Sequence, residues 1–235
     1  MRQINFREKP EDSFEMNEAM NVLRTNIAYS GEQKKSILVT SCSENDGKSA
    51  ISLQMALNFA AAGQRVLLID ADLRKSVLNG KFGISATDGQ PLVGLADLLA
   101  GKVEANDVIY KNTASGICFT PIGHYVLNPT PLFESQTFSL YLDFLKDYFD
   151  SIIIDSPPLE RVIDAAIIGA VCDGVVIVVS AGKTTYDDLN ATKQQLLRVG
   201  ANILGCVLNR VGNPGNLYSY RKRKSNDYYY GGTKK

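Results

Sequence analysis

Three groups of side chains in this sequence have the types and spacings that phosphate chemistry needs. The first is Gly47-Lys48-Ser49, which follows the apolar run Ile37-Leu38-Val39-Thr40 and opens the helical stretch ISLQMALNFAAAG. A short buried strand, a polar loop, Gly-Lys-Ser and a helix is the layout of a phosphate-binding loop. Loop N–H groups and the helix N-terminus form a partly positive cup. The Lys48 ammonium adds a full charge beside the β- and γ-phosphates, and the Ser49 hydroxyl is short enough to ligate magnesium. The second group is Asp70 and Asp72, which close the run Arg65-Val66-Leu67-Leu68-Ile69. Carboxylates two apart at the carboxyl end of a strand point the same way, toward the crevice where open α/β sheets bind ligands. The third is Asp155, at the end of Ser151-Ile152-Ile153-Ile154. An acid there, in a chain with a phosphate loop, is the expected magnesium-side carboxylate.

The loop departs from the usual G-x-x-x-x-G-K-[ST] pattern, because Cys42 stands where the first glycine should be. Asn45 and Asp46 are the next best residues for left-handed backbone, so the loop can still curl around a phosphate. The residues expected to line it are Ser43, Glu44, Asn45, Asp46, Gly47, Lys48, Ser49 and Ala50.

These residues need a scaffold, and the rest of the chain supplies its pattern. The 235 residues, 45% of them apolar, suffice for one α/β domain. Residues 1–12 are polar and read as extended or mobile. From Ser13 to about Ala28, Met16, Met20, Leu23 and Ile27 recur at helical spacing, with Asp12 or Ser13 as cap. Residues 76–115 read as a decorated connection, with Leu95 to Ala100 its clearest amphipathic piece, and Ile117 to Ile122 as a strand. Leu132 to Phe149 fits one amphipathic helix with Leu140, Phe144, Leu145 and Tyr148 on its apolar side. Val162 to Val171 reads as a helix and Val175 to Val179 as a strand. A further helix opened by Thr185 or Asp187 runs to Val199, and Ile203 to Leu208 is the last strand. Strands alternating with helices predict a doubly wound, mainly parallel sheet of the P-loop NTPase kind. The chain divides into three units: 1–30, an N-terminal segment with its helix; 31–211, the P-loop domain; and 212–235, a tail.

The formal net charge is zero, which implies no bulk attraction to nucleic acid. Cys42, Cys118, Cys172 and Cys206 lack paired or metal-like spacing and read as reduced thiols, mostly buried. The only histidine, His124, has no carboxylate near it in sequence and reads as a surface or packing residue. The start lacks the apolar core of a signal peptide, and no apolar run reaches the length of a membrane span. A soluble, cytoplasmic protein is expected. Past Val211 the pattern changes to Gly, Pro, Asn, Ser and basic residues, which reads as disordered. Yet Tyr218, Tyr220, Tyr228, Tyr229 and Tyr230 are five of the chain's eleven tyrosines. Either they form a sticky aromatic–basic arm, or their hydroxyls are the point.

SENDGKS, LLIDADLRKS, IIIDSPP, the helix EAMNVLRTNI and the terminal tyrosines together resemble the bacterial tyrosine kinases of capsule and exopolysaccharide synthesis. The likeness is greatest to the free-standing cytoplasmic kinases of Gram-positive bacteria. That resemblance implies an ATP- and magnesium-dependent protein-tyrosine kinase, with Lys48, Asp70, Asp72 and Asp155 as its catalytic residues. Ser49, Asp70 and Asp155 stand at the metal, and Asn209 lies against the adenine. The tail tyrosines match an autophosphorylation cluster. Glu18, Asn21 and Arg24 match a helix motif through which subunits form a ring, although Asn21 replaces the motif's middle arginine. The family also implies a membrane adaptor of the polysaccharide chain-length type, a cognate tyrosine phosphatase, and recruitment to the inner face of the plasma membrane. Two other classes share these motifs: an ATP-hydrolysing protein of the partitioning type, and a non-catalytic nucleotide-binding regulator. The partitioning proteins carry a second loop lysine, where this chain has Ser43.

Overall fold

The computed structural model describes residues 1–7 and 13–212; the tail tyrosines and the basic run Arg221 to Lys224 lie outside that range. Nine strands form one sheet: β1 (Gln3–Asn5), β2 (Ser36–Ser41), β3 (Val66–Asp70), β4 (Ser85–Ala86), β5 (Tyr110–Asn112), β6 (Cys118–Thr120), β7 (Ser151–Asp155), β8 (Gly174–Ser180) and β9 (Ile203–Asn209). Their spatial order is β4-β1-β5-β6-β3-β7-β2-β8-β9. From β6 to β9 every neighbouring pair is parallel. The outer β5–β6 and β1–β4 pairs are antiparallel, while β1 and β5 run parallel. The central strands are buried along their whole length, as the continuous apolar runs require for a sheet covered on both faces.

Helices α1 (Phe14–Ala28), α2 (Lys48–Ala61) and α3 (Leu78–Phe82) pack on one face, where Met20, Ile27, Ile51, Met55, Phe59 and Leu78 meet Ile37, Val39 and Leu68. The other face carries α4 (Leu95–Leu99), α5 (Thr130–Glu134), α6 (Gln136–Tyr148), α7 (Asp164–Val171) and α8 (Tyr186–Arg198). The doubly wound, mainly parallel sheet is therefore the one expected. Among the described residues no helix is long and apolar enough to cross a membrane.

Three readings are corrected. The opening residues are extended, but as strand β1 of the sheet, with Ile4 fully buried and Arg2 bound to Asp88 and to the carbonyls of Gln90 and Pro91. One apolar residue between polar neighbours gives no periodic signal, so only tertiary pairing reveals this strand. The expected helix over Leu132 to Phe149 is two helices, because Ser135 is extended (φ −71°, ψ 151°) and its hydroxyl donates to the Leu132 carbonyl. Its buried face also differs from the one read: Phe138, Tyr141, Leu142 and Leu145 point inward, whereas Leu140 and Tyr148 are exposed. The edge-to-face contact of Phe133 with Phe138, 5.3 Å between ring centres, fixes that phase. Cys42, Cys118 and Cys172 are buried, while Cys206 is exposed on β9, and all four are free.

Candidate active site

β2 delivers the phosphate loop and α2 receives it. Gly47 caps α2 with φ 97°, and a Cβ there would meet the Asn209 side-chain nitrogen at 2.0 Å, so only glycine fits. Asn45 takes the other left-handed position (φ 60°). Asp46 does not. Its carboxylate turns inward, accepts the Ser43 N–H at 2.9 Å and pairs with Lys183 Nζ at 2.9 Å. Lys183 also donates to the Glu44 carbonyl, and Asn209 Nδ2 donates to the Asp46 carbonyl at 2.8 Å. A loop short of glycines is thus held from outside by the segment after β8 and the last residue of β9. Burial pushes the Cys42 thiol up, away from thiolate, which favours an inert role for it.

Lys48 and Ser49 open α2 and are nearly buried. Lys48 Nζ lies 3.6 Å from Asp72 Oδ2, across the space between the loop and the end of β3. Strands β3 and β7 pair Asp70 directly with Asp155. Asp155 Oδ1 accepts from Ser52 Oγ at 3.1 Å, while its Oδ2 is buried with no hydrogen-bond partner among the described residues. Burial pushes the Asp155 carboxyl up to about 6, against the pull of Lys48. Burial, with the Asp155 charge added, drives Asp70 well above the usual carboxylate range. Asp72 is raised by burial too, with Lys48 opposing. Three desolvated acids beside one buried lysine is a cluster that structural needs alone do not favour.

The donors of this cluster bear on whether a divalent cation fits. No three His, Cys, Asp or Glu side chains among the described residues converge closely enough to hold one by themselves. A magnesium ion of the P-loop kind does not require that: it takes one or two protein oxygens, with phosphate and water completing the shell. The orphaned Asp155 Oδ2 beside Ser49 fits that arrangement.

Two contributors were not legible in the sequence. Arg74 forks onto the buried Asp164 (2.7 and 3.3 Å) and reaches Thr130 Oγ1 at 3.1 Å, tying the segment after β3 to the start of α7. The run Asp72-Leu73-Arg74 was its only signal. His124 does have a carboxylate partner: its Nδ1 lies 2.6 Å from the buried Asp97, which also accepts the N–H groups of Gly94 and His124. Burial pushes Asp97 up, but those hydrogen bonds outweigh it and hold the acid low. On α1, the chain Glu18–Asn21–Asn58–Arg24 is joined by side-chain hydrogen bonds of 3.0–3.3 Å. Asn21 and Arg24 thereby brace α1 against α2, and Glu18 stays exposed.

A strand–loop–helix with buried Lys48 and Ser49, facing acids at the ends of two adjacent parallel strands, defines a P-loop NTPase domain. A family model described as an AAA domain matches residues 35–201. The tyrosine-protein kinase CpsD of Streptococcus agalactiae is 39% identical over 214 residues, covering 88% of this chain and 91% of that protein. The kinase domain of the Escherichia coli tyrosine kinase ETK superposes with a TM-score of 0.75 at 29% identity, over 84% of this chain and 78% of that one. The chimerical protein CapA2B2 superposes at 0.77 with 29% identity, over 88% of each chain. The chain belongs to the bacterial tyrosine-protein kinases.

Proposed function

We propose that this kinase transfers the γ-phosphoryl group of ATP to tyrosines of its own segment 213–235, and that this transfer regulates capsule or exopolysaccharide synthesis and export. The observation that carries the reading is the buried Lys48 set between the phosphate loop and the acids Asp70, Asp72 and Asp155. Lys48 and the loop amides stabilise charge on the transferred group, where such sites obtain most of their rate. Asp72 holds the Lys48 ammonium in place. A carboxylate beside the site, Asp72 or Asp70, accepts the proton of the incoming tyrosine, whose phenol titrates near 10. Ser49 and Asp155 hold magnesium, with Asp70 close by. Such an ion would supply neutralisation of phosphate charge. Asn209 flanks the loop on the side proposed for adenine. Glu18, exposed on an α1 stiffened by Asn21 and Arg24, is offered to a neighbouring subunit of a ring. A membrane adaptor is the proposed activator at the inner face of the plasma membrane, and a tyrosine phosphatase reverses the modification.

The test is incubation of the purified chain with magnesium and ATP, followed by mass spectrometry of the tail peptides at several protein concentrations. Phosphate is expected on Tyr218, Tyr220 or Tyr228–Tyr230, at a rate per molecule that rises with concentration if a neighbour's tail is the acceptor. Normal ATP binding with an unmodified tail, even after adding the adaptor's cytoplasmic segment, would instead favour a non-catalytic regulator.

The bracing of the loop gives a further expectation. Without Lys183 the buried Asp46 becomes an uncompensated charge in a loop built for anions. Lys183→Met is expected to weaken ATP binding roughly tenfold, about 1.4 kcal/mol, as read by fluorescent-nucleotide titration. Asp46→Asn in the same chain should recover most of that loss, since it removes the charge left behind.

A further inference from the structure

Glu44 places a carboxylate on a loop built for anions, and two cations close on it. Its Oε1 lies 3.2 Å from Arg161 Nη1 and 3.8 Å from Lys75 Nζ. They reach it from two different segments. Arg161 ends a stretch that runs beside the loop, where the Leu159 and Glu160 N–H groups donate to the Ser41 and Cys42 carbonyls at 3.0 Å. Lys75 follows β3, and its N–H donates at 3.1 Å to the Asp72 carboxylate, the one that lies 3.6 Å from Lys48 Nζ. The clasp is therefore one carboxylate away from the buried lysine. Arg161 and Lys75 are 63% and 74% exposed, and Glu44 is their only ion-pair partner among the described residues. Exposed pairs of this kind are weak, so a stronger anion can take both cations from it. Lys183 is not free to join them, since it is committed to Asp46 and to the Glu44 carbonyl. The charge of the site gives the clasp a purpose. Asp70, Asp72, Asp155 and Glu44 surround one buried cation, Lys48, and a polyphosphate entering there needs further positive charge beside it.

We propose that Arg161 and Lys75 bind the γ-phosphate of ATP and select it over ADP, with Glu44 holding the two cations at the loop until ATP arrives; the assignment rests on the ATP reading above. Arg161 meets Glu44 through Nη1 alone, whereas a phosphate offers several oxygens onto which a guanidinium can fork. The γ-phosphate also carries more charge than one carboxylate, so Lys75 gains by the same exchange. ADP has no third phosphate. In its complex the cations stay on Glu44, and the carboxylate stays beside the loop. Once the phosphoryl group has left on tyrosine, Arg161 and Lys75 return to Glu44 and no longer hold the nucleotide.

The test is calorimetric titration of the full chain, with magnesium, by ADP and by a non-hydrolysable ATP analogue with an imido bridge between the β- and γ-phosphorus. Glu44→Gln removes the competing carboxylate and is expected to tighten binding of the analogue about threefold. Adding Lys75→Ala and Arg161→Ala to that variant should then weaken the analogue about tenfold, while ADP stays within about twofold. Measuring the loss in the Glu44→Gln background avoids leaving an unpaired carboxylate at the loop, which would repel both nucleotides. If the clasp only braces the loop, Glu44→Gln loosens it and weakens analogue and ADP alike. That result, or equal losses for the two nucleotides when the cations are removed, would overturn the γ-phosphate assignment and leave the loop as a nucleotide site. No binding of either nucleotide by the unaltered chain would overturn the ATP reading and this assignment with it.

Discussion

Lys48→Met is expected to lower tail phosphorylation by more than about a thousandfold, the scale of losing a charge that acts on the transferred phosphoryl group. Methionine keeps the length and apolar stem of the lysine, so packing at the start of α2 is little disturbed. The loss is confined to the positive end, which sits 3.6 Å from Asp72 and is almost wholly buried. Two effects then act together. The γ-phosphate loses its nearest fixed cation, and the acids lose the charge that opposes their desolvation. Asp72 and Asp155 should each bind a proton more readily, which weakens the grip of Asp155 on a magnesium ion. Quantitative mass spectrometry of the tail at saturating magnesium and ATP reads the first effect. Fluorescent-nucleotide titration reads affinity separately. A variant that binds ATP as the parent does, and still modifies its tail at more than about a tenth of the parent rate, would remove Lys48 from the chemistry.

The parts of this site that the sequence reveals are those where local pattern and function coincide. Ile37 to Thr40, Val66 to Asp70 and Ser151 to Asp155 are continuous apolar runs, the signature of strands covered on both faces, and each runs into a polar residue that chemistry can use. The positions of Lys48, Asp70, Asp72 and Asp155 at the crevice follow from that alone. The outer half of the sheet was not legible. β1, β4 and β5 are two or three residues long, too short for period-two alternation to register, and their partners are distant in sequence. The support of the loop was hidden differently. Lys183 stands in a short polar run between β8 and α8 that carries no motif, and its partner Asp46 is 137 residues away. His124 shows the same limit: a carboxylate distant in sequence is its neighbour in space. The split at Ser135 was missed because apolar spacing on either side is nearly in phase, and only the extended backbone of one residue separates the helices.

The second large effect is expected in a magnesium-free chain, where the acids carry their full cost. Asp155 is buried, has an oxygen without a partner among the described residues, and sits opposite Asp70 across the β3–β7 pair. Its folded pKa of about 6 exceeds the ordinary value of 3.8 that stands for the unfolded chain. The folded state therefore binds its proton more tightly than the unfolded state does, so this group's contribution is most favourable below about pH 4. That contribution is lost as pH rises through 6. Asp155→Asn removes the titration. At pH 7, with a chelator present, the variant should melt roughly 4–8 °C above the parent, on the order of 2 kcal/mol, and the gap should close toward pH 4. Adding magnesium and ATP should reverse the order, because only the parent gains a cation to pair with the acid. The same variant should lose nearly all tail phosphorylation. Equal melting temperatures at pH 7 would mean that Asp155 is already compensated in the nucleotide-free fold, and its orphaned oxygen would then no longer point to a cation. A more stable fold with no activity is the combined result expected of acids kept buried for a ligand rather than for the fold.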